Sequence, residues 1–126
     1  MKSFRELRVW QAGMELVEEV YRLTRQFPQE EKYALASQIQ RAAVSIPSNI
    51  AEGHTREHLK EYLHHVSVAK ASLAELETQL EIAARLGYIG SDQLISTLQK
   101  CSSLGKQLYA LRNSLARAPS RPIPVT

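Results

Sequence analysis

The longest regular pattern in the sequence is a row of apolar side chains in residues 59–83. These side chains recur at alternating intervals of three and four residues: Leu59, Tyr62, Val66, Ala69, Leu73, Leu76, Leu80 and Ala83. Such spacing places them along one side of an α-helix, whereas the side chains of a strand change sides at every residue. The pattern predicts a long helix with Thr55 as its N-cap and its end near Leu86, whose apolar side other helices must cover.

Three further helices are predicted, and the connections between them are short. The first begins at Ser3 or Phe4, with Ser3 as N-cap and Glu6 at capping-box spacing, and ends near Gln26. The second covers residues 29–52, and the fourth is capped by Ser91 and ends near Arg117. Short loops between long amphipathic helices predict an all-α protein folded as an antiparallel, up-down-up-down four-helix bundle. We expect one domain over residues 1–117, followed by an extended Pro-rich tail at 118–126.

The first helix carries two neighbouring rows of apolar side chains. One row is Leu7, Trp10, Met14, Val17 and Tyr21, and the other is Val9, Leu16, Val20, Leu23 and Phe27. Together they are wider than the stripe that one core requires. The helix therefore either lies deep in the monomer or packs its additional face against a neighbouring subunit. In the second case, glutamate at Val9 or Leu16 should release smaller species.

Pro47 lies inside the second helix, within the run QIQRAAVSIPSNIAEG at residues 38–53. A proline in a helix removes one backbone donor and favours a kink. Ser48 and Asn49 follow it, and their side chains can bond backbone groups that the proline leaves unpaired. We interpret Glu52 as satisfying the bend and its neighbours, and Gly53 as the residue that stops the helix.

Arg41 occupies an unusual position in the same run, between the core-type residues Ile39 and Ala42. One interpretation is structural, with the guanidinium paired to a carboxylate on the same or a facing helix. The candidate carboxylates are Glu52, Glu75 and Glu77. The other interpretation is a contact to a phosphate group.

No pattern in the sequence indicates catalysis or a bound cofactor. Glu61 and His64 have the Glu-x-x-His spacing of di-iron bundles, but such sites need two copies, and this one lies outside the apolar row. Ser45 and Ser48 lack the setting of a nucleophile, and no phosphate-binding glycine loop is present. We therefore expect a protein that is not an enzyme and that holds no metal and no cofactor.

The single cysteine and the lack of long apolar runs bear on location. Cys101 cannot form an intramolecular disulfide, and its place in a helical apolar pattern predicts a buried, neutral thiol. No stretch has the length of a membrane span or of a signal sequence. A cytoplasmic protein without membrane contact is the expectation.

Positive charge is concentrated in the last third of the chain. Residues 93–126 contain five basic side chains and no Asp or Glu. The five are Lys100, Lys106, Arg112, Arg117 and Arg121. They are the candidate nucleic-acid-binding residues, which would contact backbone phosphates with little sequence readout, since Tyr109 is the only aromatic side chain among them. The alternatives are a solvated helix face and a scaffold that docks an acidic protein partner.

Several segments together resemble a known bacterial family. They are residues 4–12, 21–24, 27–28, 75–80 and 86–88, and above all the run SIPSNIAEG at 45–53. Over about residues 4–117 the chain resembles the 23S rRNA intervening-sequence proteins, also called the S23 ribosomal protein family. Some members are encoded within intervening sequences of 23S rRNA genes.

That resemblance implies a four-helix bundle that assembles into a homopentameric barrel, with no established catalytic residue. A related protein, the accessory variability determinant of diversity-generating retroelements, is a basic pentamer that binds nucleic acid and a reverse transcriptase. We therefore expect a homo-oligomer associated with RNA or another nucleic acid, with a protein partner as the alternative. This chain departs from that pattern by being only mildly basic, with a formal net charge of +3.

Overall fold

Four α-helices make up most of residues 3–117, which are the residues that the structure, a computed structural model, describes. The helices are α1 (Arg8–Thr24), α2 (Leu35–His54), α3 (Leu59–Arg85) and α4 (Ser91–Ala116). Short 3-10 turns at Phe4–Glu6 and Gln29–Glu31 precede α1 and α2, and this range contains no β-strand. The prediction of an all-α protein with four helices is confirmed. The tail at 118–126, with Arg121, lies outside the described residues.

The four helices enclose one main core. α2 packs against α1 and α3, and α4 packs against α3 and α1. The residues that are completely buried include Val20, Ile39, Ile46, Leu76 and Leu108, so every helix contributes to the same interior. Within residues 3–117, no helix is both long and apolar enough to cross a membrane.

The two apolar rows of α1 have different environments. Val9 and Leu16 are only 6% and 2% exposed and belong to the core, whereas Met14 and Tyr21 are each 41% exposed. The interpretation of Val9 and Leu16 as candidate positions for subunit contact was therefore wrong, because both contribute to the monomer's own core. In the other row Leu7 is also buried, and Met14 and Tyr21 are the members that remain open.

The boundary between α2 and α3 differs from the prediction. α2 continues through Gly53 and His54, and Thr55 is its C-cap rather than the N-cap of α3. The Thr55 hydroxyl donates a hydrogen bond to the carbonyl oxygen of Glu52, at 2.8 Å. Gly53 was wrongly assigned as a helix stop, and its role is close packing. A Cβ added there would lie 2.9 Å from the Cβ of His65, on α3.

A glycine follows the end of α3. Gly87 has a φ of +80°, a left-handed conformation that glycine adopts without steric cost. The amide of Tyr88 donates to the carbonyl of Ala83 at 2.9 Å, and that of Gly87 to Ala84 at 3.0 Å. This pair of bonds is the Schellman arrangement, which satisfies carbonyls that the helix end leaves open. α4 then begins at Ser91 with Gly90, not Ser91, as its N-cap.

Helix α2 continues through Pro47, which is buried and lies against Gly13 of α1. The carbonyl that a residue at position 47 would normally engage is that of Ala43, four residues earlier. Asn49 does not bond this group. Its Nδ2 donates instead to the carbonyl oxygen of Ser45 at 2.8 Å and to the Ser45 hydroxyl at 3.0 Å. Ser48 lines a groove with residues of α1, whereas Asn49 also contacts His65 of α3 and so connects α2 to α3.

That connection is a short chain of side-chain hydrogen bonds. The hydroxyls of Ser45 and Ser72 lie 2.8 Å apart, and Asn49 Oδ1 lies 2.9 Å from His65 Nδ1. Ser45 and Asn49 belong to α2, whereas Ser72 and His65 belong to α3. The conspicuous sequence run at 45–53 thus serves to fix how these two helices pack.

Candidate nucleic-acid interface

Lys100, the first of the candidate basic residues, is engaged within the fold. Its ammonium group forms an ion pair with the carboxylate of Glu19 on α1. The Thr97 hydroxyl donates to the other oxygen of the same carboxylate at 2.7 Å. Lys100 therefore joins α4 to α1, and its charge is already partnered.

The electrostatics of Glu19 agree with this structural role. Burial by itself raises the pKa of this carboxyl, but hydrogen bonds from Lys100 and Thr97 and the nearby charges of Lys100 and Arg22 lower it more. The resulting pKa of Glu19 lies below the ordinary value of 4.5. At neutral pH the group is an anion that neutralises Lys100.

Lys106 and Arg112 on α4, and Arg117 at its C-cap, are all exposed, although Lys106 and Arg112 point in different directions because they are six residues apart. None of the three forms an ion pair with another residue of the range 3–117. Arg112 donates from Nη1 to the side-chain oxygen of its neighbour Asn113 at 3.2 Å, a contact that leaves its charge uncompensated. These three side chains are therefore available to an anionic partner.

The structure adds Lys70 and Tyr109 to this set. Lys70, on α3, has its Nζ 5.9 Å from the centre of the Tyr109 ring on α4. Tyr109 is 58% exposed, with Lys106 three residues before it and Arg112 three residues after it. Residues three apart on a helix are surface neighbours. We name this surface, which consists of Lys70, Lys106, Tyr109, Arg112 and Arg117, the basic α3–α4 face.

A shallow cavity lies in the groove between the two helices of this face. Its volume is about 200 Å³, and it is lined by Leu63, Ser67, Lys70, Arg112 and Ala116. Two cationic groups and a hydroxyl thus border one depression. Neither stretch that forms the face, residues 62–74 of α3 and residues 93–117 of α4 and its C-cap, contains an Asp or Glu. These two stretches therefore contribute only positive charge to the groove.

Sequence reasoning missed Lys70 because it added charge over successive segments of the chain. Residues 55–92 contain more acidic than basic side chains, and this total concealed the acid-free stretch at 62–74. The signal was present in the predicted helix, since Lys70 lies one position beside the apolar row at Ala69. Assigning charges to helix faces, rather than to segments, would have found it.

A second open surface lies on the other side of the molecule, between α1 and α2. A groove of about 350 Å³ is lined mainly by apolar side chains: Trp10, Met14, Val17, Val44, Pro47, Ser48 and Ala51. Met14, Tyr21 and Val44 are each about 40% exposed there. We name this surface the apolar α1–α2 face.

Arg41 lies at the edge of the apolar α1–α2 face. It borders a groove of about 340 Å³ with Tyr21 and Val44 and is exposed. Within residues 3–117 it forms no ion pair with Glu52, Glu75 or Glu77. The predicted carboxylate pairing is therefore absent from this part of the chain, whereas the phosphate contact stays a prediction.

The residues considered for metal binding or nucleophilic chemistry are dispersed. Across residues 3–117 there is no cluster of three or more His, Cys, Asp or Glu side chains able to hold a metal ion. Cys101 is completely buried. Burial raises the pKa of its thiol to about 12, with a further contribution from the negative charges of Glu77 and Glu19. The predicted buried, neutral thiol is confirmed.

Comparison with known proteins identifies the family. The model of the 23S rRNA-intervening sequence protein matches residues 5–110, which is most of the chain. The chain belongs to this family. None of the curated proteins matches it.

A solved structure supports the fold of this chain. It is the crystal structure of a protein of unknown function from the S23 ribosomal protein family of Bacteroides thetaiotaomicron. The TM-score is 0.77 at 24% sequence identity, and the alignment covers 83% of this chain and 95% of the other. At this level of identity the likeness concerns the fold alone.

Proposed function

We propose that this protein is a non-enzymatic, cytoplasmic homo-oligomer that associates with RNA through backbone phosphates. The observation that carries the proposal is the basic α3–α4 face. Lys70, Lys106, Arg112 and Arg117 lie on two stretches of the chain that contain no Asp or Glu, and none of the four forms an ion pair within residues 3–117. Phosphate groups are the ligand that such a surface favours, whatever the nucleotide sequence.

The family name also favours RNA as the ligand. It refers to intervening sequences in 23S rRNA, so RNA is the nucleic acid to test first. Lys100 is no longer part of the proposed interface, because Glu19 engages it. Arg121 remains a candidate, since it follows Arg117 in the basic C-terminal stretch.

Binding is tested by reversing charge on the basic α3–α4 face. We expect the variant Lys106→Glu/Arg112→Glu/Arg117→Glu to abolish binding of structured RNA at low ionic strength, because three phosphate contacts become repulsive. The measurement is fluorescence anisotropy with labelled RNA, and circular dichroism verifies the fold. If the wild-type protein shows no salt-sensitive binding at low ionic strength, the proposal fails.

A matched control separates a local site from total charge. Arg25, Lys32 and Arg85 are exposed and lie near the opposite end of the bundle, close to the contact between Phe27 and Tyr88. Changing these three to Glu alters the net charge by the same amount. The control should retain most of the RNA affinity. Equal losses in the two variants would mean that overall charge, not the basic α3–α4 face, determines binding.

We further propose that the bundle is antiparallel, with a bend at Pro47, and that subunits assemble through the apolar α1–α2 face. Pairs such as Thr24 with Gln40 support the antiparallel order, because the end of α1 meets the start of α2. The exposed apolar groove supports assembly, since a second subunit would remove it from water. The pentamer follows the family resemblance.

Light scattering tests the assembly. We expect a mass about five times that of the chain, and smaller species for Met14→Glu/Tyr21→Glu, because charges would be buried at the interface. Ile82→Glu/Ile95→Glu is the matched control, since it adds the same two charges at positions that are 43% and 56% exposed but lie on α3 and α4. It should leave the mass unchanged. A monodisperse wild-type monomer would contradict the proposed assembly.

The alternative of a scaffold for an acidic protein partner is resolved by purification with and without nuclease. RNA that co-purifies and is lost after charge reversal supports the proposed function. A single protein partner that stays bound after nuclease treatment, together with no RNA binding by the purified protein, would replace it with the scaffold function.

A further inference from the structure

Tyr109 is the feature of the basic α3–α4 face that phosphate binding alone does not explain. Its ring is 58% exposed on α4, while the adjacent Leu108 is completely buried, so the core does not require an aromatic at position 109. Cationic side chains surround this ring on the helix surface and across the groove. A phosphate-binding surface needs the cations but has no need of the ring.

We propose that this face binds a single-stranded segment of RNA, with one base stacked on Tyr109 and the adjacent phosphate in the α3–α4 groove. This inference rests on the proposed function and names the form of nucleic acid bound. Exposed aromatics beside cations are the usual platform for unpaired bases, because every base has a face that stacks. Bases within a duplex are already stacked and cannot reach the ring.

The groove beside Tyr109 has the groups that a phosphate requires. The cavity of about 200 Å³ is lined by Lys70, Arg112 and Ser67, whose side chains carry an ammonium group, a guanidinium and a hydroxyl. All three can donate hydrogen bonds to phosphate oxygens. Lys70 lies near both the proposed phosphate position and the ring on which the base would stack. It lines the cavity, and its Nζ is 5.9 Å from the Tyr109 ring centre.

The contact between Lys70 and Tyr109 does not prevent stacking. A distance of 5.9 Å is near the outer limit of about 6 Å for an attraction between a cation and a ring. Lys70 is exposed and has a flexible side chain, so it can turn toward the phosphate while the base covers the ring. The same lysine then serves the phosphate subsite.

Two oligonucleotides and three proteins test the stacking. The oligonucleotides are single-stranded RNAs of about ten nucleotides, within the range of known single-strand sites. One carries all its bases, and the other has abasic residues at its centre but the same phosphates. The proteins are the wild type, Tyr109→Leu and Tyr109→Phe, and affinities are measured by fluorescence anisotropy.

The wild type should bind the complete strand roughly 5- to 150-fold more tightly than the abasic strand, as expected for one stacked base. Tyr109→Phe should keep this preference and Tyr109→Leu should lose it, with the salt dependence unchanged. Duplex binding should be the same for all three proteins. These results together support the stacking site.

Two negative results would distinguish a wrong stacking site from a wrong proposed function. If Tyr109→Leu binds the complete strand as tightly as the wild type, while Lys106→Glu/Arg112→Glu/Arg117→Glu abolishes binding, phosphate association stands and the stacking site is wrong. If the wild type binds neither strand nor duplex at low ionic strength, the proposed function fails and the stacking site fails with it. Since position 109 is exposed, the variants should fold, and circular dichroism verifies this.

Discussion

Gly53 is the position where adding a single methyl group should report most clearly on the packing of α2 against α3. In Gly53→Ala the new Cβ would lie 2.9 Å from the Cβ of His65 and 3.0 Å from Cδ1 of Tyr62. Neither atom is the free end of a flexible side chain, and Tyr62 is completely buried. The two helices must therefore separate slightly to accept the methyl group.

The magnitude follows from two opposing effects. Overpacking a buried contact costs about 1–3 kcal/mol. Replacing glycine by alanine inside a helix gains about 1 kcal/mol. The net expectation for Gly53→Ala is a loss of about 0–2 kcal/mol. The matched control is Gly105→Ala in α4, where the new Cβ meets only Leu73 Cδ2, at 3.5 Å, an ordinary contact. It should gain up to about 1 kcal/mol.

The difference between the two variants is the informative quantity, because the helix-propensity gain is common to both. We expect Gly53→Ala to be less stable than Gly105→Ala by about 1–3 kcal/mol. Urea unfolding followed by circular dichroism measures this, at one fixed protein concentration because assembly would contribute to stability. Equal stability of the two variants would refute the close contact at Gly53.

Two further predictions concern ionisable groups. Glu19→Gln should cost about 1 kcal/mol at neutral pH, because it removes the negative charge that pairs with Lys100 and replaces one of the two accepting oxygens by an amide group. Folding lowers the pKa of Glu19, so its ionised carboxylate stabilises the fold at pH values above the ordinary pKa of 4.5. This stabilisation is lost as the pH falls through the pKa of the folded state. Urea unfolding at neutral and at acid pH should show that the free energies of unfolding of the wild type and Glu19→Gln differ less in acid. An equal difference at both pH values would contradict this. Cys101 should react with a thiol reagent only after unfolding, because burial raises its pKa to about 12; rapid labelling of the native protein would contradict this.

The helices could be predicted from the sequence because their apolar residues recur at helical intervals. The end of α3 was also predictable, since Gly87 supplies the left-handed conformation that a Schellman end requires. The boundary after α2 was not. Gly53 is a residue type that commonly ends a helix, but its role here depends on Tyr62 and His65 in another helix. Local sequence carries no information about such a contact.

The candidate site was predictable only in part, for a related reason. Lys106, Arg112 and Arg117 lie in an obviously basic segment. Removing Lys100 from the set required knowing that Glu19 of α1 faces it, and adding Lys70 required knowing which side of α3 borders α4. Likewise, the two apolar rows of α1 are equivalent in sequence. Only packing distinguishes the buried Val9 and Leu16 from the open Met14 and Tyr21.

The salt dependence of RNA affinity tests the central claim most directly. For a single strand held by the four cations of one basic α3–α4 face, the logarithm of affinity should fall with the logarithm of salt concentration with a slope of about −3. Lys70→Gln should reduce the magnitude of that slope by about 0.7, since one phosphate contact is lost. A wild-type affinity independent of salt, or a slope that Lys70→Gln leaves unchanged, would contradict the account.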